Sequence, residues 1–414
     1  MSETVLVLNS GSSSIKYELI DPRGGARLTS GLVERIGEDM ARIAHSHDGT
    51  TTERRQRIAT HHEALATVLA LFDEVGPRLS DVGIVAVGHR VVMGGKHFSA
   101  ATLIDADVVA TIERLSPLAP LHNPANLAGI NVARDLLPDI AHVAVFDTAF
   151  FHDLPSAAAT YALDRKVAAQ HSVRRYGAHG TSHEYVSRRA AEVLGRDVRE
   201  LKQIVLHLGN GASASAVAHG APVDTSMGLT PLEGLVMGTR TGDIDPAVVF
   251  HLWRNAGMTV DEIDDLLNRR SGMKGLTGHN DMREVHRLIA AGDVDARVAL
   301  DVYVHRLKKY VGAYAAVMGG LDALSFTAGV GENDAVVRAD TAEGLGFLGI
   351  DIDPVRNAVR SHLPRLISPD AARVAVMVIP TDEEMAIALA TMSIVERGHA
   401  GSNEAPPRAV TPPV

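Results

Sequence analysis

Apolar residues follow two rhythms along this 414-residue chain. Short, mainly apolar runs at 5–8, 84–87, 143–146, 204–208, 324–326 and 374–379 predict buried strands. Apolar positions at helical spacing predict helices over 61–75 and 294–318, and 246–320 reads as mostly helical. Segments 28–34 and 41–46 are candidates for further strands. The run at 204–208 ends in Gly209-Asn210-Gly211, after which small residues alternate with Ser213 and Ser215. That is a strand, a tight turn and a second strand. The N-terminus repeats the form: 5–8 ends in Asn9-Ser10-Gly11-Ser12-Ser13-Ser14, and 15–20 continues as a strand. Backbone N–H groups in such turns make concave anion sites. Two such units about two hundred residues apart predict two related α/β halves, each reading as strands, helix, strand, helix, strand, helix.

Composition narrows the class. The chain is 46% hydrophobic and 22% charged, as a globular protein is, and is long enough for two domains. A formal charge of −10 and no basic stripe argue against a nucleic-acid partner. There is no cysteine, hence no disulfide, thiolate zinc site or thiol nucleophile. No apolar run approaches the ~20 residues that span a bilayer. No basic-then-apolar leader precedes the first strand, so a cytoplasmic enzyme without a membrane partner is expected.

Candidate chemistry clusters where strands end. Arg90 follows the 84–87 run, where open α/β sheets bind ligands. Asp147 directly follows 143–146 and either serves catalysis or caps the next turn. Asn123 suits a helix N-cap ahead of Pro124, and His122 beside it either meets an anion or is structural. His179 stands between Gly177 and Gly180 ahead of a helix that Thr181 or Ser182 can cap, with His183 expected to be structural. The irregular, glycine-rich 223–246 carries Arg240, a second anion clamp. Asp281 opens a helix over 281–291, and 328–333 reads as a third glycine turn. Thr381 and Glu384 fit a capping box, which leaves Glu383 able to hold a metal. Asn9, from the other end of the chain, could share that Mg²⁺. The Pro-, Ala- and Ser-rich segment 398–414 is expected to be disordered. Walker and protein-kinase motifs are absent.

The segments LVLNSGSSSIKY, GHRVVMGG, PLHNP, VFDTAF, RRYGAHGTSH, LHLGNGAS, TPLEGLVMGTRTGDIDP, FTAGVGEN and PTDEE, in this order, resemble the acetokinase family from about residue 4 to about 397. The resemblance implies duplicated ribonuclease-H-like domains with a nucleotide cleft between them: 1–147 plus 384–397, and 148–383. It also implies a homodimer and reversible transfer between ATP and acetate, giving acetyl phosphate and ADP. Mg²⁺ is the implied cofactor, Mn²⁺ a substitute, with contacts on Asn9 and Glu383. Nucleotide contacts are implied at Lys16, at His207, Leu208, Gly209, Asn210 and Gly211, at Asp281, Met282 and Arg283, and at Gly329, Val330, Gly331, Glu332 and Asn333. Arg90 is the implied substrate anchor, Asp147 the essential acid, and His179 and Arg240 the stabilisers of the transferring charge. The implied methyl pocket is Val92, Leu121, Ala178 and Pro231. Two residues depart from the family's common pattern: Met93 for His, and Ala178 for Phe. The second removes an aromatic wall and makes a broader acyl kinase, or a propionate kinase, the alternative. A non-catalytic nucleotide switch on the same fold is the alternative of another class.

Overall fold

The computed structural model describes residues 3–401. The chain divides into two compact units, one comprising residues up to Ala149 together with those from Glu383 onward, the other Phe150–Asp382.

The first unit is built on an eight-stranded sheet. Its strands are β1 (Thr4–Ser10), β2 (Ser14–Asp21), β3 (Ala26–Glu34), β4 (Ala41–His47), β5 (Thr50–Gln56), β6 (Ile84–Val91), β7 (Thr102–Leu103) and β8 (Ala141–Phe146), in the order β5-β4-β3-β2-β1-β6-β8-β7. Strands β1 to β5 pair antiparallel, whereas β6 runs parallel to β1 and β8 parallel to β6. Parallel pairing needs crossovers, and the helices His61–Glu74 and Asn123–Leu136 supply them. The run VLVL in β1 is buried throughout because it feeds two cores. Leu6 and Leu8 face one way, with Leu65, Val68 and Phe72, while Val5 and Val7 face Ile387, Ala388 and Met392. Each such side chain contributes about 1.5–3 kcal/mol by burial. The helix Glu383–Gly401 thus closes the sheet laid down by the chain's first residues. It extends past 397, and 402–414, most of the expected disordered tail, lies outside the described residues.

The second unit repeats the plan. Strands β9 (Lys202–Leu208), β10 (Ala212–Ala218), β11 (Ala221–Thr225), β12 (Ala323–Thr327), β13 (Arg365–Leu366) and β14 (Ala375–Val378) have the order β11-β10-β9-β12-β14-β13. Strands β9 to β11 are antiparallel; β12 is parallel to β9 and β14 to β12. The sequence β3-β2-β1-β6-β8 in one unit and β11-β10-β9-β12-β14 in the other is one topology used twice. The two hairpins predict two related halves, and the repeat is the duplicated ribonuclease-H-like α/β fold that the family resemblance implies. The buried side of the helix Val294–Met318 covers one face of this sheet, and Val186 and Ala190 of the helix Gly180–Leu194 cover the other. Among the described residues no helix is long and apolar enough to cross a membrane.

Candidate active site

In the first unit the predicted residues sit at the ends of the three parallel strands. Arg90 lies within β6 rather than in a loop after it, and Asp147 is the residue after β8. Arg90 Nε donates to Asp147 Oδ1 at 3.1 Å, and Arg90 Nη2 donates to Oδ2 at 2.8 Å. Arg90 Nη1 lies 3.5 Å from Glu383 Oε2. Burial opposes the guanidinium charge, but Asp147, Glu383 and Glu384 outweigh it and hold Arg90 cationic. Burial pushes the Asp147 carboxyl up from its ordinary value, against the pull of Arg90. Asn9 stands near the end of β1, paired across the ladder with Lys16. The Lys16 amine is bound by Glu384 and lies 3.5 Å from Glu18.

The segment after Arg90 is held by buried amides. Asn123 Oδ1 accepts from Met93 N at 3.0 Å and its Nδ2 donates to Met93 O at 3.0 Å. Asn126 Oδ1 accepts from Val92 N at 3.2 Å and its Nδ2 donates to Ser10 O at 2.8 Å. Thr148 Oγ1 accepts from Gly94 N at 2.9 Å. Gly129 of the same helix rests on Ser10, where a Cβ would lie 2.1 Å from Ser10 Oγ. The amides therefore tie the turn after β1 to the strand end that carries Arg90. Val92 of the implied methyl pocket is buried, and Leu121 is exposed.

In the second unit the β9–β10 turn is Gly209-Asn210-Gly211, closed by Gly209 N donating to Gly211 O at 2.9 Å. His179 occupies the left-handed region at φ 57°, a costly conformation for a non-glycine residue, at the mouth of the helix Gly180–Leu194. Its ring stacks on His207 at 4.3 Å between centroids. Arg240 is half-buried. Its Nη1 donates to Pro231 O at 3.2 Å, and no carboxylate pairs with it among the described residues. Burial alone lowers its pKa. A Cβ placed on Gly211 would lie 3.4 Å from His179 Nε2 and 3.8 Å from Arg240 Nη1. A histidine nitrogen and an arginine nitrogen thus border one small volume beside a glycine. Ala178, adjacent to His179, is buried in this unit's core.

A cavity of about 830 Å³ lies in the second unit, within the size range of small-molecule sites. Gly209, Asn210, Asp281, Met282, Arg283, Gly329, Val330, Glu332 and Asn333 line it. His207, Leu208, Gly211 and Gly331 are not among its lining, and Leu208 and Gly331 are buried. Asp281 caps the helix Met282–Ala290, and the Arg283 side chain and backbone N–H hold its carboxyl at about 2. The cavity also takes in His286, whose Nε2 is 2.6 Å from Asp334 Oδ2; that contact raises the His286 pKa.

The acetokinase family model matches residues 4–389. An acetate kinase of Streptomyces avermitilis is 58% identical over 402 residues, 96% of this chain and 99% of that one. The chain belongs to the acetokinase family. Among solved structures of the family, an acetate kinase of Porphyromonas gingivalis matches with a TM-score of 0.90 at 44% identity, covering 95% of this chain and all of that one. A propionate kinase of Francisella tularensis matches at 0.89 and 42%, covering 94% and 99%. Members of this family are kinases that transfer phosphate to a carboxylate.

Four local expectations fail in this acetokinase fold, three of them where a distant partner takes a side chain. Thr381 and Glu384 form no capping box: Thr381 N donates to Glu332 Oε1 at 3.2 Å, Thr381 Oγ1 bonds Ser182, and Glu384 is bound by Lys16. Neither Thr181 nor Ser182 is the N-cap of its helix; His179 is, and the Ser182 hydroxyl bonds His207 Nδ1 and Thr381. Asn123 is the first residue of its helix and serves Met93 instead of an N-cap. Residues 328–333 are a short helix rather than a turn, entered through Ala328 at φ 63°. Glu384→Ala therefore removes an ion pair, not a cap. The Lys16 side chain is 45% exposed, so the loss should be at most about 1 kcal/mol in a urea titration. A loss above about 3 kcal/mol would make the pair a buried one.

Proposed function

We propose that this protein catalyses reversible phosphoryl transfer between ATP and acetate, giving acetyl phosphate and ADP. The observation that carries the reading is Arg240. It is a half-buried guanidinium without a carboxylate partner among the described residues, beside His179 and Gly211, and an anion is what such a group lacks. In-line transfer needs alignment and neutralisation of the transferring charge rather than covalent help. Arg240 and His179 would supply donors to the phosphoryl group. Arg90 would bind the carboxylate, since its planar fork suits two oxygens. Both Asp147 oxygens accept from Arg90, which supports reading Asp147 as the anchor of that guanidinium rather than as a proton acceptor. An ionised carboxylate needs no proton removed. The cavity lined by Asn210, Asp281 to Arg283 and the 328–333 helix would hold the nucleotide.

Mg²⁺ belongs to this reading. The fit rests on the donor set at the ends of β1 and the last helix: the amide of Asn9 and the carboxylate of Glu383 are hard oxygen ligands. No described group of three or more His, Asp or Glu is arranged to hold an ion. Few protein ligands with water and phosphate completing the shell is the usual mode for Mg²⁺. Bound there, Mg²⁺ would neutralise phosphate charge. Mn²⁺ would substitute. Homodimeric assembly and a cytoplasmic site of action complete the proposal.

The test is a coupled assay with ATP, Mg²⁺ and a carboxylate series. Phosphorylation of acetate is expected, and its absence with every carboxylate would sink the reading. The same assay addresses acyl length. With Ala178 where relatives commonly carry Phe, propionate should be used nearly as well as acetate. Ala178→Phe should shift the ratio toward acetate by about fourfold, the worth of one buried methylene. An unchanged ratio would assign Ala178 to the core alone.

A further inference from the structure

His183 is fully buried one turn after His179, and Ser213 and Ser215 lie on the same face of β10. The four side chains form a chain of hydrogen bonds. Ser215 Oγ is 2.8 Å from His183 Nδ1, His183 Nε2 is 2.7 Å from Ser213 Oγ, and Ser213 Oγ is 2.9 Å from His179 Nδ1. Phe151 packs its ring against His183 at 5.6 Å and keeps that side apolar.

Proton counting gives the chain one direction. Each serine has one hydroxyl hydrogen. His183 is neutral, because burial and the neighbouring His207 push its pKa well below the ordinary value, so it also carries one. Ser215 is fully buried, and among the described residues His183 Nδ1 is the one hydrogen-bond partner of its hydroxyl. If His183 donated from Nδ1, the Ser215 proton would be stranded without an acceptor, a costly state in a dry interior. Ser215 therefore donates to Nδ1. His183 then donates from Nε2 to Ser213, and Ser213 donates to His179 Nδ1. That nitrogen must be bare, so the His179 proton resides on Nε2, the atom 3.4 Å from the Gly211 Cβ position next to Arg240.

We infer that Ser215, His183 and Ser213 are a one-way buried relay that fixes His179 as the neutral tautomer protonated on Nε2, a hydrogen-bond donor at the anion position. Ser215 and His183 are positioning residues: they touch no substrate and act through His179. The relay explains why a histidine is held in left-handed backbone at a helix mouth, where its Nδ1 can reach Ser213. Its effect on rate rests on the phosphoryl-transfer reading; the tautomer does not.

The experiment uses the full chain labelled with ¹⁵N-histidine. Long-range ¹H–¹⁵N correlation, with His179 assigned from its loss in His179→Gln, should show Nε2 protonated and Nδ1 bare. Ser215→Ala should mix the two His179 tautomers and lower kcat by about 10–100-fold, the usual scale for an orienting partner, with KM for ATP unchanged. Ser215→Thr, which keeps the hydroxyl, should restore both. A proton on Nδ1 of His179 in the wild-type protein would overturn the relay, whatever the variants do. Wild-type kcat in a folded Ser215→Ala would overturn it as well. Should no carboxylate be phosphorylated at all, the wild-type spectrum still decides the tautomer, so the two failures are distinguishable.

Discussion

Arg240→Met should lower turnover by about 10³-fold or more while leaving the protein at least as stable as before. The two halves of that expectation come from one fact. The guanidinium is half-buried, and among the described residues its hydrogen-bond partners are the Pro231 carbonyl at 3.2 Å and the Met237 sulfur at 3.9 Å. A charge so placed is a net cost in the resting protein, which is why burial lowers its pKa. Methionine of similar length removes that cost and keeps the packing. On the proposed mechanism the balance reverses in the transition state, because a preorganised donor would act on the transferring charge without reorganising. Arginines in this role are worth roughly 10³–10⁵ in rate. Urea midpoint and turnover should be read on the same sample. Activity within tenfold of wild type would remove Arg240 from the chemistry. A loss above about 3 kcal/mol would make it a structural residue whose partners matter more than its charge.

The sequence was legible where a rule is local and illegible where a partner is remote. Apolar runs at 5–8 and 204–208 with their small-residue turns identified both hairpins, hence both units, because strand burial writes itself into consecutive residues. Strand β5, TTTERRQ, carries no apolar alternation and was invisible, since it lies at the sheet edge with mostly exposed side chains. The capping box at Thr381 and Glu384 fits every local rule and yet is not made. Ser182, 199 residues away, takes the Thr381 hydroxyl, and Lys16, 368 residues away, takes Glu384. Asn126 gave no signal at all, because a buried amide that joins Ser10 to Val92 looks in sequence like any polar helix residue. The relay left half a signal. His179 and His183 are spaced one helical turn apart and Ser213 and Ser215 one strand period apart, but only the fold sets those two faces against each other.

The pair of Arg90 and Asp147 should behave in the opposite way to Arg240. Here a buried carboxylate and a guanidinium satisfy each other through Nε and Nη2, with Asp147 almost wholly out of solvent. Removing Arg90 leaves the Asp147 carboxylate buried and unpaired, and removing Asp147 leaves Arg90 with only the 3.5 Å contact to Glu383; the loss should be about 3–5 kcal/mol for Arg90→Ala and somewhat less for Asp147→Ala. Asp147→Ala and Arg90→Ala should therefore each be strongly destabilised as well as inactive, and loss of activity alone would say nothing about mechanism. Replacing both removes the orphan. Arg90→Met with Asp147→Leu should recover most of the lost stability, so the cycle should show a coupling energy of a few kcal/mol. Its activity should stay lower by orders of magnitude, because the carboxylate of the substrate would have no guanidinium to meet. That split is the informative result: stability depends on the pair being matched, whereas turnover depends on its being charged. Additive single losses in the cycle would show that the two residues do not act as a unit. A double variant that regains turnover would show that Arg90 anchors structure and not substrate.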